Sequence, residues 1–209
     1  MPSVHDVLTQ LAAIAAGYPW LAIAWHAYFG VIAVALIGGW RPPRRLAGLL
    51  LAAAPLSASA MAWIAGNPVN GALLLALAAL LLLLALKMSC AYSRIAPPWL
   101  LLPGIALFAV GWAYPHFLAA GSLLPYLYRS PLGVLPCPTL AMTLGLALIL
   151  DGLGSRALCV ALGAFGLFYG AFGVFRLGVT ADWTLLLGAV IVLARAVHRR
   201  LERGAVAGK

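Results

Sequence analysis

Three side chains with metal-binding chemistry, His26, His116 and Cys137, occur in separate parts of the sequence. Imidazole nitrogens and a thiolate are ligands that copper and zinc accept, and a histidine also serves as an axial ligand of haem. No regular ligand spacing connects the three positions. The residue types therefore leave two interpretations open: a copper, zinc or haem site, or side chains that are simply hydrogen-bonded within the fold.

The densest group of polar and conformationally restricted residues lies between positions 111 and 139. Four prolines between 125 and 138 prevent a regular helix in this stretch. Irregular backbone at membrane depth requires cover by protein or a water-filled cavity. The stretch therefore predicts either a structural cap or a cavity that binds or passes a small molecule. The residues assigned to this cavity are Tyr114, Tyr126, Tyr128, Arg129, Pro136, Pro138 and Thr139.

The composition predicts that these residues are carried by membrane helices. Of the 209 residues, 65% are hydrophobic and 8% are charged, and the mean hydropathy is +1.07. Soluble domains carry about 25% charged residues, so this chain cannot cover a soluble surface and a water-soluble enzyme is excluded. The three cysteines, Cys90, Cys137 and Cys159, show no spacing typical of a disulfide framework or a zinc site.

The order of apolar segments predicts one all-helical integral membrane domain over residues 1–209. Residues 1–17 have helical periodicity and a possible Ser3–Asp6 capping box, which predicts an amphipathic helix at the membrane interface. A helix bundle over 18–197 and a basic cytoplasmic tail over 198–209 follow. Separators rich in Gly, Pro and Asn divide the bundle into seven apolar segments. These segments are 20–40, 46–65, 71–92, 98–120, 136–152, 157–175 and 181–197.

The basic residues predict the orientation of this bundle. The chain has 13 Lys and Arg against 4 Asp and Glu, a net charge of +9. With seven spans and the N-terminus outside, eleven basic residues are cytoplasmic and only Arg129 and Arg176 are outside. If segment 136–152 is instead re-entrant, six spans leave seven basic residues outside and six inside. The positive-inside rule favours seven spans in a bacterial inner membrane, and it accounts for the positive charge without a nucleic-acid partner.

A stripe of glycines marks the sixth segment. Gly163, Gly166, Gly170 and Gly173 alternate spacings of three and four residues, which places them on one helix face. Small residues in such a stripe allow another helix to approach closely. The partner is either a helix of the same chain or, at an interface, a second copy of the chain or a larger membrane complex.

The acidic residues lie at the ends of segments. Asp151 is expected near Arg156, and Asp182 is placed to pair with Arg176 across a short turn. Both arrangements fit helix-end electrostatics better than a proton relay. No carboxylate falls at mid-membrane, which argues against an ion-coupled transporter, and the seventh segment lacks the lysine that a retinal Schiff base needs.

Several motifs resemble a family of bacterial integral membrane proteins known as domain of unknown function 6064. The likeness rests on Tyr114-Pro115, on Gly133-Val-Leu-Pro-Cys-Pro-Thr139 and on Thr143-Leu-Gly-Leu146, and it extends to Asn67-Pro68 and to 177–182. The resemblance implies a multi-span membrane protein without an assigned activity. Members typically carry a Tyr-His pair in the second span and a Gly-His before the proline-rich turn. This chain has no histidine in its second span, and Leu123-Leu124 occupies the second place.

Two classes of function follow from the sequence. In the first, the proline-rich stretch closes an outer-face cavity that binds or passes a small molecule or metal. In the second, the protein is an accessory or assembly subunit that uses its glycine stripe and basic inner face to contact partners. A membrane enzyme is the least supported class, because neither a nucleophile–base set nor a dense ligand cluster stands out.

Overall fold

A computed structural model describes residues 3–118 and 124–207, with side chains up to residue 198. These residues form helices and connecting turns, with one isolated bridge between Pro43 and Tyr92 and no strand among them. The predicted all-helical fold class is therefore confirmed. The helices are α1 (Val4–Gly17), α2 (Pro19–Ile37), α3 (Arg44–Ile64), α4 (Pro68–Leu86), α5 (Pro98–Trp112), α6 (Tyr126–Arg129), α7 (Pro136–Ile149), α8 (Arg156–Ala171) and α9 (Asp182–Ala207).

Four of the helices are long and apolar enough to cross a membrane. They are α2, α3, α4, and α8 together with the π-helical turn Phe172–Arg176 that continues it. Helices α5 and α7 are also apolar but shorter. The chain therefore has the helices expected of a protein embedded in a membrane.

The helices begin where the sequence supplies N-terminal signals. The Ser3 hydroxyl accepts a hydrogen bond from the Asp6 N–H while the Asp6 carboxylate accepts one from the Ser3 N–H, which completes the capping box of α1. Asn67 caps α4 and Ser155 caps α8 with a single side-chain hydrogen bond each, accepted from a first-turn N–H. Proline at the start of α2, α4, α5 and α7 fits because the first helical N–H needs no partner.

Helix α7 occupies the centre of the bundle. Of its residues from Pro136 to Leu148, all but Cys137 are buried. Glycines bring it very close to α5, since a Cβ at Gly145 would lie 2.5 Å from the main-chain nitrogen of Phe108. Its 14 residues rise only about 21 Å, less than the roughly 30 Å of a bilayer core. Because protein surrounds α7, its ends are covered by other parts of the chain.

The connecting segments gather at two ends of the bundle. At one end, hydrogen bonds of 2.9 Å join Arg44 N–H to the Ala91 carbonyl and Ala96 N–H to the Ile149 carbonyl. Seven of the nine Lys and Arg residues with described side chains lie on the segments of this end, which we call the basic end. The other two, Arg129 and Arg176, belong to the opposite end, which we call the capped end. The seven are Arg41, Arg44, Arg45, Lys87, Arg94, Arg156 and Arg195.

A left-handed turn connects α7 to α8 at the basic end. Residues 151–154 have φ values of +53°, +59°, +52° and +68°, in the region that costs L-residues about 1–2 kcal/mol each. The Asp151 carboxylate accepts two hydrogen bonds from the Arg195 guanidinium, at 2.8 and 3.2 Å. The expected proximity of Asp151 to Arg156 is therefore not realised as an ion pair, because the turn directs the carboxylate to α9.

The glycine stripe of α8 faces α9 of the same chain. A Cβ at Gly163 would lie 2.5 Å from the Leu193 side chain, and a Cβ at Gly170 would lie 2.9 Å from the Leu186 nitrogen. Gly166 meets Ala189 in the same way, and Gly173 meets Asp182. Of the two predicted uses of the stripe, the structure shows close packing within the chain. The stripe is thus covered and does not present a free surface.

Candidate functional site

The three residues considered for a metal lie in different surroundings. The ring nitrogens of His26 both contact main-chain carbonyls, Nδ1 at 2.7 Å from Ala22 and Nε2 at 2.9 Å from Trp112. His116 is half-buried, with its ring edge-on to Phe117. Among the described residues, no group of three or more His, Cys, Asp or Glu side chains is placed to hold a metal. The geometry gives the copper, zinc or haem hypothesis no support, and His26 instead links α2 to the end of α5.

The proline-rich stretch is a packed cap. Its buried hydroxyls satisfy its irregular backbone: the Ser130 hydroxyl accepts a hydrogen bond from Tyr114 N–H at 3.1 Å, and the Thr139 hydroxyl accepts one from Gly133 N–H at 2.9 Å. Ser57 of α3 donates to the Gly133 carbonyl at 2.8 Å. Residues 130–136 are buried. These contacts favour the structural-cap alternative for this stretch.

The residues predicted to line an outer cavity differ in their exposure to solvent. Tyr114, Pro136, Pro138 and Thr139 are buried, whereas Tyr126 and Arg129 are half-buried and Tyr128 is exposed. Tyr126 donates its hydroxyl to the Leu118 carbonyl at 2.8 Å. A cavity beside Pro136 measures about 10 Å³, which is room for one water molecule.

A buried carboxylate lies beneath the cap. Asp182, the first residue of α9, is fully buried, and its Oδ1 accepts a 2.6 Å hydrogen bond from the Tyr114 hydroxyl. Its Oδ2 has no hydrogen-bond partner among the described residues. The predicted pairing of Asp182 with Arg176 is wrong, since Arg176 is exposed and forms no ion pair with it. The carboxylate instead rests on Gly173, whose missing side chain leaves the necessary space.

Two further polar side chains extend this buried group. The Cys137 thiol lies close enough to Tyr114 and Asp182 to interact electrostatically with both. Tyr169 is buried nearby and donates its hydroxyl to the Asn70 side chain at 3.3 Å. The sequence analysis missed Asp182 and Tyr169 as part of this group. The available signal was an ionisable residue at the edge of an apolar segment, which is a functional pointer in a membrane protein.

A larger opening lies at the basic end, between α3, α4 and α8. It has a volume of about 860 Å³, and we call it the basic cavity. Arg44, Lys87 and Arg156 line it together with the Ser89 and Ser155 hydroxyls. Its apolar wall is formed by Leu80 of α4 and by Val160, Ala161, Ala164 and Phe165 of α8.

Backbone geometry positions the cations of the basic cavity. Arg44 and Arg156 are the first residues of α3 and α8, so both helix N-termini reach this region. Arg44 passes over Gly154, where a Cβ would lie only 2.9 Å from the guanidinium carbon. Positive φ at Gly154 and the absence of its side chain together permit this approach. Among the side chains that the structure describes, no carboxylate lies within ion-pair distance of Arg44, Lys87 or Arg156.

The local electrostatics of the basic cavity favour an anion. A helix N-terminus carries about half a positive charge, and cations placed there are unfavourable. The first turn of α8 also leaves the N–H groups of Arg156 and Ala157 without intrahelical acceptors. Three cationic side chains and the N-terminus of α8 therefore border a solvent- or lipid-accessible space without a described counter-charge.

No protein-family model matches the sequence, and no curated protein or solved structure is significantly similar to it. The class of the protein therefore follows from the molecule itself. It is an all-helical protein whose apolar helices suit a membrane-embedded position. The likeness to domain of unknown function 6064 stays a prediction.

Proposed function

We propose that the chain is a seven-span protein of a bacterial inner membrane, with its N-terminus outside and its C-terminus in the cytoplasm. Helices α2–α5 and α7–α9 correspond in order to the seven apolar segments, although α9 continues beyond 197 to Ala207, and the segments of the basic end carry most of the cations. Helix α1 lies outside these spans and is assigned to the membrane interface. The cytoplasmic leaflet then contacts the basic end.

The exposed Cys90 of the basic end tests this orientation. A membrane-impermeant maleimide should label it in inverted vesicles and not in right-side-out vesicles. Cys90→Ser is the control, because it separates this signal from any reaction at the half-buried Cys137. Labelling of Cys90 from the outer side would contradict the orientation.

We further propose that the protein binds an anionic ligand in the basic cavity. The observation that carries this proposal is the placement of Arg44 and Arg156 at two helix starts that share one cavity without a described carboxylate partner. A bound anion would interact favourably with both cations and with the N-terminus of α8 at once. Lys87 adds a third cation that can adjust to the ligand.

Anion binding is tested by thermal unfolding of the purified protein in a neutral detergent, with and without phosphatidylglycerol or inorganic phosphate as probes. At least one of the two probes should raise the unfolding temperature of the wild type, since a ligand that binds the folded state stabilises it. The Arg44→Gln/Arg156→Gln variant should lose most of that shift. Arg45→Gln/Arg94→Gln removes the same charge from exposed positions outside the cavity and should keep it. Equal loss in both variants would refute the site.

The outer-face site predicted from the sequence is a second candidate, favoured by the unpartnered Oδ2 of Asp182. We propose that this oxygen accepts a hydrogen bond from a donor no larger than ammonium or water, since Asp182 is fully buried and a buried acceptor is rarely left without a donor. Ammonium should then raise the unfolding temperature, and choline, which is too large, should not. Asp182→Asn should remove the ammonium effect and Asp6→Asn, at an exposed position, should preserve it. An equal ammonium effect in all three proteins would refute this candidate.

In the accessory-subunit alternative, the chain joins a second copy or a larger membrane complex. The structure offers less support for this alternative than the sequence did. The glycine stripe that suggested an interface is occupied by α9. A partner would have to bind another face, and co-purification with a second protein from native membranes is the test of that alternative.

A further inference from the structure

The apolar wall of the basic cavity bears on the kind of anion that binds there. Leu80, Val160 and Ala164 are exposed, and they continue the cavity along α4 and α8 away from the cations. Inorganic phosphate or glycerol phosphate has no apolar group to place against such a wall. An amphiphile with an anionic head and a hydrocarbon chain matches both parts.

The order of residues along α8 indicates how an amphiphile would be oriented in the basic cavity. Ser155 and Arg156 stand at the start of the helix, and the wall residues Val160, Ala161, Ala164 and Phe165 follow within the next nine positions. At about 1.5 Å per residue, the wall extends over roughly 13 Å from the cationic end. That length accommodates a good part of an acyl chain running parallel to α8.

We propose that the basic cavity binds an anionic phospholipid of the cytoplasmic leaflet, with its phosphate at Arg44, Lys87 and Arg156 and one acyl chain against α4 and α8. This inference rests on the proposed anion-binding function and names its ligand. The Ser89 hydroxyl and the free N–H groups of the first turn of α8 supply neutral donors to the phosphate oxygens.

Substitutions in the apolar wall of the basic cavity, which leave the three cations intact, distinguish binding of a lipid from binding of a free phosphate. The full-length protein in neutral detergent is titrated with phosphatidylglycerol and phosphatidylcholine and read by native mass spectrometry. Glycerol phosphate is the water-soluble competitor. Ala164→Phe fills the space along the apolar wall of the basic cavity. Ala27→Phe, in a separate groove between α2 and α3, is the matched control.

We expect phosphatidylglycerol to bind about tenfold more tightly than phosphatidylcholine, a difference of one decade in Kd. Ala164→Phe should weaken phosphatidylglycerol binding about fivefold, and Ala27→Phe should change it by less than about twofold. If Ala164→Phe does not fold, Val160→Ser, which makes the wall more polar, should still weaken binding about twofold.

Each other outcome has a distinct meaning. Equal binding of the two lipids, or no effect of the wall variants, overturns the lipid inference. If glycerol phosphate binds as tightly as phosphatidylglycerol, the anion-binding function stands and the lipid inference fails. If no anionic probe binds, and the Arg44→Gln/Arg156→Gln variant behaves as the wild type, both fail together.

Discussion

Replacing Gly173 with alanine tests how the buried Asp182 carboxylate is held. A Cβ at this position would overlap Oδ2 of Asp182 and would lie 2.6 Å from its Cγ and 3.0 Å from its Cβ. Rotation of the carboxylate alone does not relieve these contacts, so the whole side chain must move. That movement stretches the 2.6 Å hydrogen bond from the Tyr114 hydroxyl. Overpacking costs about 1–3 kcal/mol and a disrupted buried hydrogen bond about 1–3 kcal/mol, so we expect a total of about 2–6 kcal/mol.

A double-mutant cycle separates this cause from a general sensitivity of α8. In an Asp182→Ala background the carboxylate is gone, so Gly173→Ala should cost much less, with a coupling energy of about 1–3 kcal/mol. The free energy of unfolding is measured by reversible denaturation in mixed micelles with far-ultraviolet circular dichroism. Gly17→Ala is the control, because no atom lies within 4 Å of its added methyl group. An equal cost of Gly173→Ala in both backgrounds would refute the proposed contact.

Three further predictions concern contacts elsewhere in the chain. His26→Phe keeps a ring but removes the single N–H that a neutral imidazole offers to the Ala22 or Trp112 carbonyl, and should lower the free energy of unfolding by about 1–3 kcal/mol; an unchanged denaturation midpoint would contradict this. Asp151→Asn removes the charge that faces the mostly buried Arg195 and should cost about 3 kcal/mol, part of which Arg195→Gln in the same protein should restore; no such recovery would contradict the pairing. Hydrogen bonds from Ser3 lower the pKa of Asp6 below its ordinary value of 3.8, so the capping box contributes fully above pH 3.8 and is lost as pH falls through the lowered pKa. Carboxyl-carbon NMR of the full chain in micelles should show this midpoint, and Ser3→Ala should return it towards 3.8.

The helices were predictable because apolar segments and breakers determine most of their extent. The predicted segment 20–40 contains all of α2 except its first residue, Pro19, and 46–65 matches α3 within two residues. Two helix ends depart clearly from the prediction: α9 continues past 197 to Ala207, and α5 ends at Trp112, well before 120. Pro115 disfavours helix at the preceding residue, and the Tyr114 N–H bonds to the Ser130 hydroxyl of the cap instead of continuing the helix.

The contacts between distant segments could not be read from the sequence. Asp182 and Tyr114 are 68 positions apart, and local spacing made Arg176 the closer partner for the carboxylate. The deciding feature is the space over Gly173, which depends on how α8 packs against α9. Likewise, alternation of spans places Arg44, Lys87 and Arg156 on one side of the membrane, but only tertiary packing makes them line one cavity.

Orientation in the membrane does not by itself explain where the cations of the basic end lie. The positive-inside rule requires only that Lys and Arg remain near the cytoplasmic ends of the spans. Arg45 and Arg94 meet this requirement from exposed positions, where they interact mainly with water. Arg156 is also exposed, and Arg45 shares the first turn of α3, but only Arg44 and Arg156 combine a helix start, where the dipole opposes a cation, with a place in the lining of the basic cavity. Arg44 is in addition half-buried over Gly154. This placement is unfavourable in the empty cavity and is not needed for orientation, but it becomes favourable once an anion occupies the cavity. The geometry of these two arginines therefore argues that they bind a ligand in addition to setting the orientation of the protein in the membrane.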